Sequence, residues 1–131
     1  MRTVRHHMTA GPHSIGQDQM LAEAHRVMRE HHVRHLPVLS GGKLVGIVSE
    51  RDLHLVETLR DVNPMRVPVE EAMTSDVFTV APDEPVEATA REMAEHKYGS
   101  AVVMERGKVI GVFTTTDALR TLADVLKENR E

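Results

Sequence analysis

Shifting the chain by 65 residues lays residues 4–52 on residues 69–117 without a gap, and 13 of the 49 pairs are identical. They are Val4/Val69, Met8/Met73, Thr9/Thr74, Asp18/Asp83, Arg26/Arg91, Met28/Met93, Glu30/Glu95, His31/His96, Val38/Val103, Gly42/Gly107, Lys43/Lys108, Gly46/Gly111 and Asp52/Asp117. Average residue frequencies would give about three. Further pairs exchange like for like, among them Ser14/Thr79, Ile15/Val80, Ile47/Val112 and Ser49/Thr114. The chain is therefore read as two copies of one unit, 1–62 and 69–131, with a connector at 63–68 that carries Pro64 and Pro68. A unit of roughly 60 residues buries little apolar surface alone, so the copies are expected to pack on each other.

Both copies carry one pattern of elements. A short strand (13–15; 78–80) follows the Met-Thr pair, then a turn at Asp18 or Pro82-Asp83. An amphipathic helix comes next, its apolar stripe read as Leu21, Ala24, His25 and Met28 in the first copy and Val86, Ala90, Met93 and Ala94 in the second. Two strands follow (35–39 and 43–48; 100–104 and 108–113), joined by loops short enough, and with a glycine, to be hairpins. A second helix opens at Ser49 or Thr114, and Leu119, Leu122, Ala123 and Leu126 give the last helix its apolar periodicity. The expected fold class is α+β, two pseudo-symmetric β-α-β-β-α units packed through their sheets.

Composition excludes several functions. No cysteine is present, so there is no disulfide framework, thiolate metal site or cysteine nucleophile, which fits a cytoplasmic protein. Apolar runs reach about five residues where a membrane helix needs roughly 20, and the basic N-terminus lacks the apolar core of a signal peptide. A net charge of −4 with two Phe, one Tyr and no Trp argues against nucleic-acid binding. That charge is uneven. Residues 1–65 carry eight Lys/Arg against seven Asp/Glu, and residues 66–131 carry eight against thirteen. This reads either as drift on solvated faces or as an anion meeting the first half.

Each copy ends its last strand in the same way, Gly46-Ile47-Val48-Ser49-Glu50-Arg51-Asp52 and Gly111-Val112-Phe113-Thr114-Thr115-Thr116-Asp117. A hydroxyl followed three residues later by a carboxylate is close to a capping box, which satisfies free amides at a helix start. The same carboxylate can accept from both hydroxyls of a ribose, and a helix N-terminus favours phosphate. Capping and ligand binding are compatible, and the motif does not separate them.

The duplication, the opening Met-Thr, the Arg34-His35-Leu36-Pro37-Val38 strand and the Gly-x-x-[Ser/Thr]-x-x-Asp endings together resemble tandem CBS domains, named after cystathionine β-synthase. The resemblance covers nearly the whole chain. It implies a Bateman module that binds an adenosine compound (AMP, ADP or ATP, less so S-adenosylmethionine or NAD) in clefts between the copies. It also implies a homodimer, regulation of other proteins and no catalysis, with no cofactor required. Carried over, the first cleft would use Asp52 and Ser49 for ribose, the backbone around Ser14-Ile15 and His35-Leu36-Pro37 for adenine, and Arg51 with Arg34 near phosphate. The second would use Asp117 and Thr114, Thr79-Val80, and Tyr98, Gly99, Ser100 and Ala101. It departs from the first where Ser100-Ala101-Val102 replaces His35-Leu36-Pro37 and Thr116 replaces Arg51. Phosphate is therefore expected at the first cleft, while a phosphate-free nucleoside is expected to prefer neither.

Other signals are weaker. His31, His32 and His35 suggest a metal site, but Pro37 and its strand should end the helix before His35 and break that spacing. Met28 and Met93 fall on the apolar stripes and are expected in the core. Tyr98 either stacks on a base or covers the core edge. No nucleophile stands beside a base, so an enzyme is not expected. The reading is a stand-alone regulatory protein acting on a partner in trans; the alternative is a structural or dimerisation module with an empty cleft.

Overall fold

The computed structural model describes residues 1–130 and has both α and β structure in two pseudo-symmetric units. One unit is contiguous, Pro12–Val77; the other joins Met1–Gly11 to Phe78–Glu131. The contiguous unit contains β2 (Ile15–Gly16), α1 (Leu21–His31), β3 (His35–Ser40), β4 (Lys43–Ser49) and α2 (Glu50–Arg60). The other contains β1 (Thr9–Ala10), β5 (Thr79–Val80), α3 (Val86–His96), β6 (Ser100–Glu105), β7 (Lys108–Thr114) and α4 (Thr115–Glu128). Their sheets run β2-β3-β4 and β1-β7-β6-β5, with one parallel pair each (β2 with β3, β5 with β6) and an antiparallel hairpin.

These units do not follow the sequence copies: the heads of the copies are exchanged. β1 belongs to the first copy but pairs with β7 of the second, Thr9 opposite Val112 and Ala10 opposite Gly111. Reciprocally, Thr74 of the second copy bridges Ile47 on β4. Both strands offer a glycine there, and the reason is space. A Cβ on Gly111 would lie 3.1 Å from the Thr9 carbonyl oxygen and against Met8, and one on Gly46 would lie 3.0 Å from the Thr74 carbonyl and against Met73. The paired Met-Thr and Gly of the repeat are thus two sides of one contact.

The exchange also starts the first helices. Neither α1 nor α3 has a side-chain N-cap. Instead Leu21 N–H donates to the Val67 carbonyl and Ala22 N–H to Pro64, while Val86 N–H donates to the Arg2 carbonyl. Residues of the 63–68 connector therefore satisfy helix donors that would otherwise be orphaned. Both helices stop on a left-handed residue, His32 at φ 55° and Lys97 at φ 58°.

Burial follows the apolar stripes with two differences. Leu21, Ala24 and Met28 are buried as expected, whereas His25 is half-buried against Glu57. In α3 the buried positions are Val86, Thr89 and Met93, not Ala90 and Ala94. The face that spaces Val86 from Met93 by seven residues passes through position 89, where a threonine hid it from an apolar count. On α4, Asp117 and Thr121 are buried, while Leu119, Leu122 and Leu126 are 60%, 52% and 57% exposed. The first strands are also displaced, Ile15–Gly16 and Thr79–Val80 in place of 13–15 and 78–80.

Candidate functional site

The two strand-to-helix junctions are built alike. Ser49 caps α2, accepting from Asp52 N–H at 3.0 Å while Asp52 Oδ2 accepts from Ser49 N–H at 2.9 Å. Thr114 caps α4 reciprocally with Asp117, at 3.3 and 2.9 Å. Both are complete capping boxes. The strand before the hairpin is tied to the same point. Glu50 N–H donates to the Arg34 carbonyl and Thr115 N–H to Gly99, while His35 pairs with Ser49 and Ser100 with Thr114.

Beyond the cap the two carboxylates part. Asp117 is 4% exposed, and Thr9 Oγ of the exchanged head donates to its Oδ1 at 3.2 Å. Thr114 Oγ donates to its Oδ2, and Arg120 lies 3.6 Å from Oδ1. Asp52 is half-buried, and its Oδ1 has no partner among the described residues. Arg34, just before β3, and Arg51, next to Asp52 in the chain, are exposed, and neither is in an ion pair among the described residues. His35 faces the same point; burial lowers its pKa from the usual 6.5, with Arg34 acting the same way and Asp52 opposing.

The sequence-predicted residues of the first junction thus divide in two. Arg34, His35, Ser49, Arg51 and Asp52 come together at the start of β3 and the end of β4. Ser14 and Ile15 lie on the far side of β3, where Ile15 pairs with Val38. Ile15, Leu36 and Pro37 are core residues, so only their backbone can meet a ligand. There Pro37 matters: its counterpart Val102 donates its N–H to the Phe78 carbonyl at 2.9 Å, and Pro37 has no N–H to give the corresponding carbonyl of His13. At the second junction Ala101 is buried in the core, Thr79 is exposed, and Ser100 and Thr114 are half-buried. Tyr98 stacks on Phe78 at 5.2 Å and on His96 at 5.1 Å, so its ring already has neighbours.

A cavity of ≈ 440 Å³ opens beside the first junction, lined by His25, Arg29, His32, Arg34 and Glu50 among others. Glu50 was not read as a site residue, nor were the three on α1 and its cap. Their signal was available as spacing, since His25, Arg29 and His32 recur at i, i+4 and i+7 along α1 and its cap. The expected break in the histidine spacing is present: α1 ends at His31, whose ring stacks on His13 at 3.5 Å, and His35 begins a strand.

Comparison with known proteins agrees with this architecture. The family described as "CBS domain" matches residues 4–56 and 69–124. An inosine-5'-monophosphate dehydrogenase of Korarchaeum cryptofilum is 36% identical over 105 residues, 79% of this chain but 21% of that protein. The CBS domain-containing protein YhcV of Bacillus subtilis is 26% identical, covering 89% of this chain and 83% of its own length. The chain spans about a fifth of the length of the first curated relatives it matches. Among solved structures, the CBS domain pair of MJ0100 with 5'-methylthioadenosine and S-adenosyl-L-methionine aligns with a TM-score of 0.87, 26% identity and 95% and 98% coverage of the two chains. CBSX2 in complex with AMP aligns at 0.79 and 26%, with the same coverage.

Proposed function

Because the chain belongs to the CBS-domain family and carries two CBS domains, we propose that it is a regulatory module that binds an adenosine nucleotide of the AMP, ADP or ATP class and acts on a partner protein in trans. The observation that carries the reading is the first junction. Asp52 keeps an unused carboxylate oxygen for ribose hydroxyls, beside the α2 N-terminus and the unpaired guanidiniums of Arg34 and Arg51. The His13 carbonyl, without a donor from Pro37, is an acceptor for the adenine amine. The relatives bound to AMP and to S-adenosylmethionine support the ligand class.

The junctions are unequal even for a nucleoside without phosphate, because Asp117 already serves Thr9 and Thr114. Equal preference therefore gives way to a first site at Asp52. The residues are held as caps and charges rather than as a base beside a nucleophile, so the reading assigns no reaction and no required cofactor; the absence of cysteine suits a cytoplasmic setting. A thermal-shift panel of AMP, ADP, ATP, S-adenosylmethionine and NADH tests it. A ligand at 100 times its dissociation constant should add about 2.7 kcal/mol of stability.

The exposed leucines of α4 favour a second reading, a homodimerisation module with an empty nucleotide site. Light scattering at high micromolar concentration separates the two. A dimer together with a silent panel supports the second reading; a 14.6 kDa monomer overturns it.

A further inference from the structure

A second cavity of ≈ 440 Å³, whose lining holds neither junction carboxylate but includes Thr79 and Val80 of the second-cleft reading, lies in the unit that joins residues 1–11 to 78–131. Val80 and Met104 give it apolar walls, and Glu84, Ala88, Thr89 and Glu92 line it from α3 and the turn before it. Thr89 is 2% exposed, and its Oγ is the one buried side-chain polar atom without a hydrogen-bond partner among the described residues. A buried hydroxyl left unmatched is rare enough to ask what meets it.

The other copy is an internal control. Thr89 corresponds to Ala24, which is fully buried in its core, so this position needs no hydroxyl in order to pack. Glu92 corresponds to Val27, which packs on that same core. Ala88 corresponds to Glu23, which pairs with Arg26, so the second copy has a smaller side chain at this position. Glu84 corresponds to Gln19, whose Oε1 is engaged with Gly16 N–H at 2.7 Å. The second copy has thus gained acceptors at Thr89 and Glu92, and it carries a carboxylate at Glu84 where the first copy has an engaged amide. Glu92 also meets His96 at 2.9 Å, which leaves its other oxygen to the groove.

We propose that this groove binds a small alkylammonium ion, with the cationic end on Glu92, Glu84 and the Thr89 hydroxyl and the alkyl chain against Val80 and Met104. An ammonium carries three donors and no acceptor, which matches a lining of carboxylates and a hydroxyl oxygen. The apolar walls and the volume suit an organic cation rather than a bare metal ion. Ligand atoms of Glu92, Glu95 and His96 lie within 4.8 Å of one another, so a divalent metal is the competing occupant at Glu92.

Calorimetric and amide-shift titration of the full chain with 1,5-diaminopentane, 1,5-pentanediol and Zn²⁺ tests the proposal. The diamine should bind and the isosteric alcohol should not. Glu92→Val and Thr89→Ala each install the residue of the other copy. They should weaken the diamine about tenfold and about threefold. Glu92→Gln, which keeps the shape and removes the charge, provides a second reading should Glu92→Val fold poorly. Asp52→Ala should leave diamine binding unchanged, which keeps this site distinct from the nucleotide reading. No diamine binding, equal affinity for the alcohol, equal affinity in the Glu92 variants, or Zn²⁺ binding alone would overturn it.

Discussion

Asp52 and Asp117 occupy the same position in the repeat and make the same capping box, yet one is a finished structural part and the other is half-used. Asp117 is buried and accepts from the cap, from Thr114 Oγ and from the exchanged head through Thr9. Asp52 caps with one oxygen and leaves the other without a partner among the described residues, with Arg34 and His35 nearby. A repeated motif therefore says where a carboxylate stands and not what it does. Its free lone pairs decide that, and they depend on which head strand arrives and what hydroxyl it brings.

The largest test of this difference is on stability. Asp117→Ala should cost about 3 kcal/mol, because it removes a buried carboxylate that accepts from Thr114 N–H, Thr114 Oγ and Thr9 Oγ. Asp52→Ala should cost only about 1 kcal/mol, the usual loss of a cap. Urea denaturation of both variants measures it, and equal losses would erase the distinction. On binding the order reverses. Asp52→Ala should lower nucleotide affinity by about 1.5–3 kcal/mol, the worth of hydrogen bonds to a charged group. A surface variant near Asp117, Arg120→Ala, should leave that affinity in place.

Charge gives a smaller and more selective effect. Arg51→Ala should weaken ATP about tenfold and adenosine less than about twofold, and the gap should narrow in high salt. Equal losses for the two ligands at both salt concentrations would make Arg51 a structural residue. The smallest effect concerns pH. Burial holds the folded His35 below its usual pKa of 6.5, so between the two values the unfolded chain binds the extra proton. Stability tied to neutral His35 is whole above about pH 6.5 and is lost as pH falls toward the folded pKa. His35→Ser, which installs the residue of the second copy, should flatten the fall in unfolding free energy between pH 7 and 5. An unchanged slope would mean that other groups set it.

The repeat, the hairpins and the junction caps were legible in the sequence because each rests on local rules: a shift of 65 residues, glycine in short loops, a hydroxyl three residues before a carboxylate. Met28 and Met93 were placed in the core by helical spacing alone, and both are buried there. Thr89 was not legible, since a buried threonine counts as polar in any search for an apolar stripe. Nor was the exchange of heads. A two-residue strand such as β1 has no measurable period, and its partner on β7 lies about 100 residues away. The difference between Asp52 and Asp117 inherits that blindness, because Thr9 reaches Asp117 only through the exchange.

The exchange also sets an order of events for the chain as it emerges. Residues 12–77 are continuous, so every contact within that unit can form once they have been made. The other unit draws on both ends of the chain and must close a loop spanning the whole of the first. Loop closure costs entropy that no local contact repays beforehand, so pairings across large sequence separations form late. Met8 and Thr9 are made before residues 12–77 and find a place only after them. Until β7 is complete, residues 9–10 have no strand to join, and Asp117 acquires its Thr9 donor only when a segment made before residues 12–77 meets one made after them.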